Sequence, residues 1–237
     1  MSNIINLYRC ENKIVNDAFD NIVANICHQK EKNGYKSFML TGCEAGVGTT
    51  TIAVELAISL SMAGWKTVLL DCDMRKVSAY KRLNEDLTKG LTDYVKSTAT
   101  INDIICDTNW TLLDYIPCGS VEDENPLRML YSQNLTKLMS QLTEEYDYII
   151  LDVPSVNSSV DSHILSVKCD ATLLVASLDG NSKQYLENSR DLLVKDGANL
   201  IGVIGNMVSL DQYKHYVKDY DYFNEKKYAR RNRGKKD

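Results

Sequence analysis

The sequence has little of what metal, disulfide or export chemistry needs. Its seven cysteines (Cys10, Cys27, Cys43, Cys72, Cys106, Cys118 and Cys169) form no C-x-x-C pair and have no histidine partners at zinc spacing. An odd count without a secretory signal predicts reduced thiols, mostly small buried apolar residues. His28, His163 and His215 are the only histidines, and they are too dispersed to support a metal site or a Cys/His nucleophile pair. The first residues, MSNIINLYRCENK, lack a basic segment followed by an apolar core, which predicts no secretory signal. No uncharged apolar run reaches membrane-spanning length, because Glu55 interrupts the longest candidate. These absences predict a cytoplasmic protein. A formal net charge of -5 gives no global reason to expect nucleic acid as a partner. Internal repeats and domain-splitting linkers are also missing.

What is present is an ordinary globular composition, 44% apolar and 25% charged over 237 residues, enough chain to bury a sizeable core. Apolar residues recur with helical period from Ile14 to Ile26, from Ile52 to Ala63 with Gly64 as a C-terminal cap, and from Leu127 to Glu145. Shorter helices are predicted at Val77–Leu83, Ile101–Cys106, Asp161–Val167 and Lys183–Lys195. Six continuous apolar runs read as strands: Ser37–Thr41, Thr67–Asp71, Thr111–Ile116, Tyr148–Asp152, Ala171–Ala176 and Leu200–Asn206. Pro117 and Pro154 close two of them. Gly119 to Pro126 reads as an acidic loop. Strands alternating with helices predict an α/β fold, a mostly parallel sheet with helices on both faces. The composition changes after Leu210, where five of the fourteen tyrosines (Tyr213, Tyr216, Tyr220, Tyr222 and Tyr228) precede a basic end. A domain over residues 1–210 and a flexible tail over 211–237 are therefore expected.

The chain's chemistry is concentrated in Gly42-Cys-Glu-Ala-Gly46-Val47-Gly48-Thr49-Thr50-Thr51. A strand, a glycine-rich turn and a hydroxyl cluster opening a helix form the arrangement that cradles a nucleotide phosphate chain. Against the pattern G-x-x-x-x-G-K-[ST], Gly48 is the second glycine and Thr50 the magnesium-binding hydroxyl, but Thr49 replaces the lysine. A charge-assisted hydrogen bond contributes roughly 1.5–3 kcal/mol, whereas a cation on a transferring phosphoryl group is worth on the order of a thousandfold in rate. Binding is thus expected to tolerate Thr49 better than turnover does. Two strands end in acids, Asp71-x-Asp73-x-Arg75 and Asp152, which with Thr50 make a sensible oxygen inventory for Mg2+. A neighbouring carboxylate can accept the proton of an attacking hydroxyl. In open parallel sheets ligands sit at such strand ends.

Residues 14 to 228 resemble the bacterial tyrosine kinases of capsule and exopolysaccharide biosynthesis, P-loop relatives of MinD and ParA. The resemblance rests on Val68-Leu-Leu-Asp71-Cys-Asp73-Met-Arg75, on Tyr146-Asp-Tyr-Ile-Ile-Leu-Asp152-Val-Pro154, on Gly202-Val-Ile-Gly-Asn206 and on the tyrosine tail. It implies ATP or ADP with Mg2+ as cofactors, held at Gly46, Val47, Gly48, Thr49, Thr50, Thr51 and Asn206, whose amide often faces the adenine. It implies metal ligands at Thr50, Asp71 and Asp152, catalytic roles for Asp71, Asp73 and Arg75, and autophosphorylation of Tyr213, Tyr216, Tyr220, Tyr222 and Tyr228. Its implied partners are a membrane-anchored polysaccharide chain-length regulator whose cytoplasmic tail activates the kinase, a phosphotyrosine phosphatase and further copies of the chain. The protein would then sit peripherally on the inner face of the membrane. Departures from the family pattern are the loop lysine, the loop glutamate and the motif E-x-x-R-x-x-R, which aligns with Asp17, Asp20 and Val23. A catalytically impaired regulatory scaffold and a MinD- or ParA-like positioning ATPase are the rival readings.

Overall fold

The computed structural model describes residues 4–74, 89–120, 125–178 and 182–209. In chain order the elements are α1 (Lys13–Asn33), β1 (Ser37–Gly42), α2 (Thr49–Met62), β2 (Thr67–Asp71), α3 (Leu91–Val95), α4 (Ile101–Ile104), β3 (Cys106–Asp107), β4 (Leu113–Ile116), α5 (Pro126–Leu130), α6 (Gln133–Glu145), β5 (Tyr148–Val153), α7 (Val160–Ser166), β6 (Ala171–Ser177), α8 (Ser182–Lys195) and β7 (Leu200–Asn206). Seven strands form one sheet in the order β3-β4-β2-β5-β1-β6-β7. All neighbours are parallel except the short β3–β4 pair. Strands β1, β5 and β6 are buried at every residue, so the sheet centre is covered on both faces, as continuous apolar runs require. The structure therefore has the α/β, mostly parallel architecture read from the alternation of patterns.

The larger departures from the sequence reading each have a local reason. The stretch 127–145 is two helices rather than one: Asn125 caps α5 with Pro126 at its first position, and Ser132 caps α6 by accepting from Asn134 N–H. Strand β4 starts at Leu113 rather than at Thr111, because Leu112 has φ +66 and turns the chain. The helix expected at Ile101–Cys106 stops at Ile104, and Cys106 and Asp107 pair antiparallel with Tyr115 and Asp114 as a seventh strand. A two-residue edge strand carries no period, so it left no trace in the sequence. Helix α3 arises in the weakly patterned region before Trp110, its start held by Asp93 accepting from Gly90 N–H. The helix expected at Val77–Leu83, residues 121–124 of the acidic loop and all of the tail tyrosines lie outside the described residues.

The order of the strands sets where a ligand belongs. From β1 the chain runs to β2, across β5; from β5 it runs the other way, across β1 to β6. Connections leaving two adjacent strands in opposite directions open a crevice at their carboxyl ends. The ends that border it are Gly42 and Val153. Packing below supports this centre: α2 lies against β1, β2 and β5 and packs with α1, while α7 and α8 pack together beside β1, β6 and β7.

Candidate functional site

The glycine-rich turn leaves β1 and folds back over its own start. A Cβ placed on Gly42 would lie 2.7 Å from Val47 Cγ2, 2.8 Å from Glu44 O and 2.8 Å from Thr49 Oγ1, so only glycine lets the turn close. Val47 is buried and anchors the loop to the core, whereas Ala45 and Gly46 are exposed. Gly46 has φ +86 with open space on its Cβ side, and Gly48 has the same φ, a backbone that non-glycine residues adopt only at a cost. Helix α2 then starts at Thr49 with no side-chain cap and no acid in its first turn. Such a start offers its N–H groups and dipole to an anion.

Contacts from distant parts of the chain fix the loop. Asn206 at the end of β7 donates its side-chain amide to Val47 O at 2.8 Å. Asn157, in the loop after β5, donates to Cys43 O at 2.6 Å and to Ser189 Oγ of α8 at 2.9 Å, and Ser189 Oγ also donates to Cys43 O. Val156 N–H donates to Gly42 O at 3.0 Å, and Cys43 N–H to Val175 O at 2.9 Å. Sequence reasoning singled out Asn206 but missed Asn157 and Ser189. The only signal for Asn157 was its place in the polar run after Pro154, and nothing marked Ser189.

The acids converge on the same edge. Asp71 and Asp152 are register partners on the adjacent parallel strands β2 and β5, whose backbones are spaced by about 4.8 Å. Asp71 Oδ1 accepts from Asp73 N–H at 3.0 Å, closing the turn after β2, and Cys72 N–H donates to Asp152 O at 2.9 Å. Asp73 and Asp152 are each 5% exposed. Beside them burial pushes the Cys72 thiol well up, with Asp71 and Cys169 adding to the effect, so this cysteine stays a neutral core residue. Burial and the Glu44 carboxylate likewise raise Cys43. Thr41 Oγ1 donates to Pro154 O at 2.6 Å, tying β1 to the segment that follows Asp152.

The structure thus brings Gly46, Val47, Gly48, Thr49, Thr50 and Thr51 together with Asp71, Asp73, Asp152 and Asn206 at the carboxyl edge of β1, β2, β5 and β7. Arg75 lies outside the described residues, as do Tyr213, Tyr216, Tyr220, Tyr222 and Tyr228. An anion-accepting helix start and a pair of carboxylates across one crevice fit a phosphate chain with a hard divalent cation, whose preferred ligands are oxygens. No group of three or more His, Cys, Asp or Glu placed to hold a metal unaided occurs among the described residues.

Comparison with known proteins agrees with this geometry. The family model for an AAA domain matches residues 38–188. The tyrosine-protein kinase CpsD of Streptococcus agalactiae serotype Ia is 33% identical over 198 residues, 83% of this chain and 84% of that protein. The crystal structure of the chimerical protein CapA2B2 is 28% identical with a TM-score of 0.77, covering 84% of this chain and 86% of that one. The septum site-determining protein MinD of Pyrococcus horikoshii, solved with Mg-ADP, shares the fold at 20% identity and a TM-score of 0.58, over 71% and 68% of the two chains. With the loop, the acid pair and the strand order in place, these similarities show that the chain belongs to the bacterial tyrosine-protein kinase family of CpsD, on a MinD-like P-loop scaffold.

Proposed function

We propose that this chain binds ATP or ADP with Mg2+ at the Gly42–Thr51 loop and acts as a tyrosine kinase of capsule or exopolysaccharide biosynthesis whose own tail is a substrate. The observation that carries the reading is the register pairing of Asp71 with Asp152 beside the loop that ends β1. Two carboxylates brought to one edge offer the hard oxygen ligands that a divalent cation prefers, and the neighbouring loop supplies the anion site that such a cation would serve.

In this reading Gly46, Val47, Gly48, Thr49, Thr50 and Thr51 hold the phosphates through backbone N–H groups, and Asn206 borders them. Thr50, Asp71 and Asp152 offer the oxygens for Mg2+, which when bound neutralises charge on the phosphates. Asp71 and Asp73 orient the acceptor hydroxyl and take its proton. Arg75 supplies the positive charge that Thr49 does not. Residues 1–210 form the catalytic domain, and Tyr213, Tyr216, Tyr220, Tyr222 and Tyr228 in the tail 211–237 are the acceptors. No helix among the described residues is long and apolar enough to cross a membrane. A membrane-anchored chain-length regulator would bring this cytoplasmic protein to the inner face and activate it through its cytoplasmic tail. A phosphotyrosine phosphatase would reset it. Self-association through α1 would need surfaces other than the family's arginine motif, since Val23, at the second arginine's position, is buried.

The test is mass spectrometry of the tail after incubation with Mg-ATP, with and without the regulator's cytoplasmic peptide, on the parent and on Thr49→Lys. Phosphotyrosine in residues 213–228 is expected in the parent, and a rate higher by roughly ten- to a thousandfold in the variant. No label in either protein with the peptide present would overturn the proposal.

A further inference from the structure

From the contacts around the loop we infer that Asn206 is a positioning residue. Its side-chain amide holds the phosphate loop in its receiving shape before any nucleotide arrives. The inference rests on the nucleotide-binding reading above but concerns a different property, the conformation of the loop by itself.

The geometry is specific. Asn206 Nδ2 lies 2.8 Å from Val47 O, and a carbonyl can only accept, so the amide must present its NH2 group there. The same amide occupies the space that a Cβ on Gly48 would need, so the close approach of Asn206 to the turn requires glycine at that position. The backbone of Asn206 is fixed in turn, because it is the register partner of Ser177 and its carbonyl accepts from Leu178 N–H at 3.1 Å. Asn206 is therefore a rigid donor delivered from 159 residues away in sequence to the turn that opens α2. Val47 is the one loop residue between the two left-handed glycines, and its carbonyl shares a peptide unit with the Gly48 N–H, so the orientation that Asn206 fixes decides where that N–H points. Losing the Asn206 donor leaves a buried carbonyl unsatisfied at that position and frees the turn to rotate.

The experiment compares the full-length parent with Asn206→Asp, which keeps the shape but faces an acceptor oxygen toward Val47 O, and with the milder Asn206→Ala. Amide hydrogen exchange is measured without nucleotide, followed by calorimetric titration with Mg-ADP. Expected is exchange at least about tenfold faster at Gly46–Thr51 in both variants, with β1, β5 and β6 unchanged, and Mg-ADP affinity lower by about tenfold, equivalent to about 1.4 kcal/mol. Unchanged loop exchange in either variant overturns the inference. Exchange that accelerates equally in the loop and the sheet also overturns it, because Asn206 would then serve general stability. If the parent itself binds no Mg-ADP, the proposed function fails, and the exchange data alone decide the role of Asn206.

Discussion

Glu55 lies midway along α2 and is 5% exposed. Its Oε1 accepts from Cys10 N–H at 2.5 Å, and its Oε2 has no hydrogen-bond partner among the described residues. In the sequence this residue served only to interrupt an apolar run; in the structure it ties the N-terminal arm, whose Ile5 and Leu7 are buried, to the helix that follows the glycine-rich turn. Burial pushes its pKa up from 4.5, offset in part by the Cys10 N–H and the Arg9 cation. The sign of the consequence follows from linkage. A carboxyl whose folded pKa exceeds its unfolded value binds its proton more tightly when folded, so it contributes stability below about 4.5 that is lost as pH rises through the raised value. Glu55→Gln keeps the acceptor for Cys10 and removes the charge. It is expected to raise Tm at pH 8 by about 2–4 °C for each kcal/mol recovered, and to flatten the fall in Tm between pH 5 and pH 8. An unchanged Tm at pH 8 with the parent's slope would refute this assignment.

At the scale of the element, Tyr146-Asp147-Tyr148 and Asp152-Val-Pro154 read in the sequence as parts of one motif, but β5 separates them by its full length. The first part sits at the amino end of the sheet, away from the loop, and works as an anchor. Lys30 of α1 lies 4.5 Å from the ring centroids of both Trp65 and Tyr148 and pairs with Asp147 at 2.9 Å. Asp147 in turn accepts from Lys66 N–H at 3.1 Å. Partial burial works against the Asp147 charge, yet the Lys30 and Lys66 donors hold its pKa below the ordinary value. Tyr146 OH donates to Asp114 Oδ2 at 2.6 Å, joining the same anchor to β4. Lys30→Met removes the cation from two aromatic faces and one carboxylate. The expected loss is about 1–2 kcal/mol, seen as a Tm lower by roughly 2–8 °C, with Mg-ADP affinity unchanged. A parallel loss of nucleotide affinity would show that this end of β5 communicates with the loop.

At the scale of the molecule, the site exists because the sheet order places Asp71 and Asp152 in register and puts β1 next to β5. Their 81-residue separation in sequence becomes one interstrand spacing. A ligand that binds only this assembled edge stabilises the folded state by mass action, by about 2.7 kcal/mol at a hundredfold excess over Kd. Mg-ADP at that excess is therefore expected to raise Tm by roughly 5–11 °C. Most of the gain should vanish when EDTA removes the magnesium, and Asp152→Asn should make the shift insensitive to EDTA. An EDTA-insensitive shift in the parent would rule out the metal role given to Asp152 and Asp71.

The sequence by itself determined the α/β class, the places of β1, β2, β5, β6 and β7, the glycine-rich turn after β1 and the acids at two strand ends. These are local features: continuous apolar runs of strand length, a helical period, and glycines at fixed spacing before hydroxyls. It also showed Thr49 in the lysine position, which no fold can undo. It did not show the break between α5 and α6, the edge strand β3 or helix α3, because capping and two-residue pairings outweigh weak periodicity there. Only the tertiary structure decided that Asn157, Ser189 and Asn206 brace the loop, that Val23 faces inward, that Glu55 holds the N-terminal arm and that Asp147 belongs to an anchor rather than to the site. Each depends on hydrogen bonds or packing between segments tens to more than a hundred residues apart, and such contacts leave no periodicity in the chain that makes them.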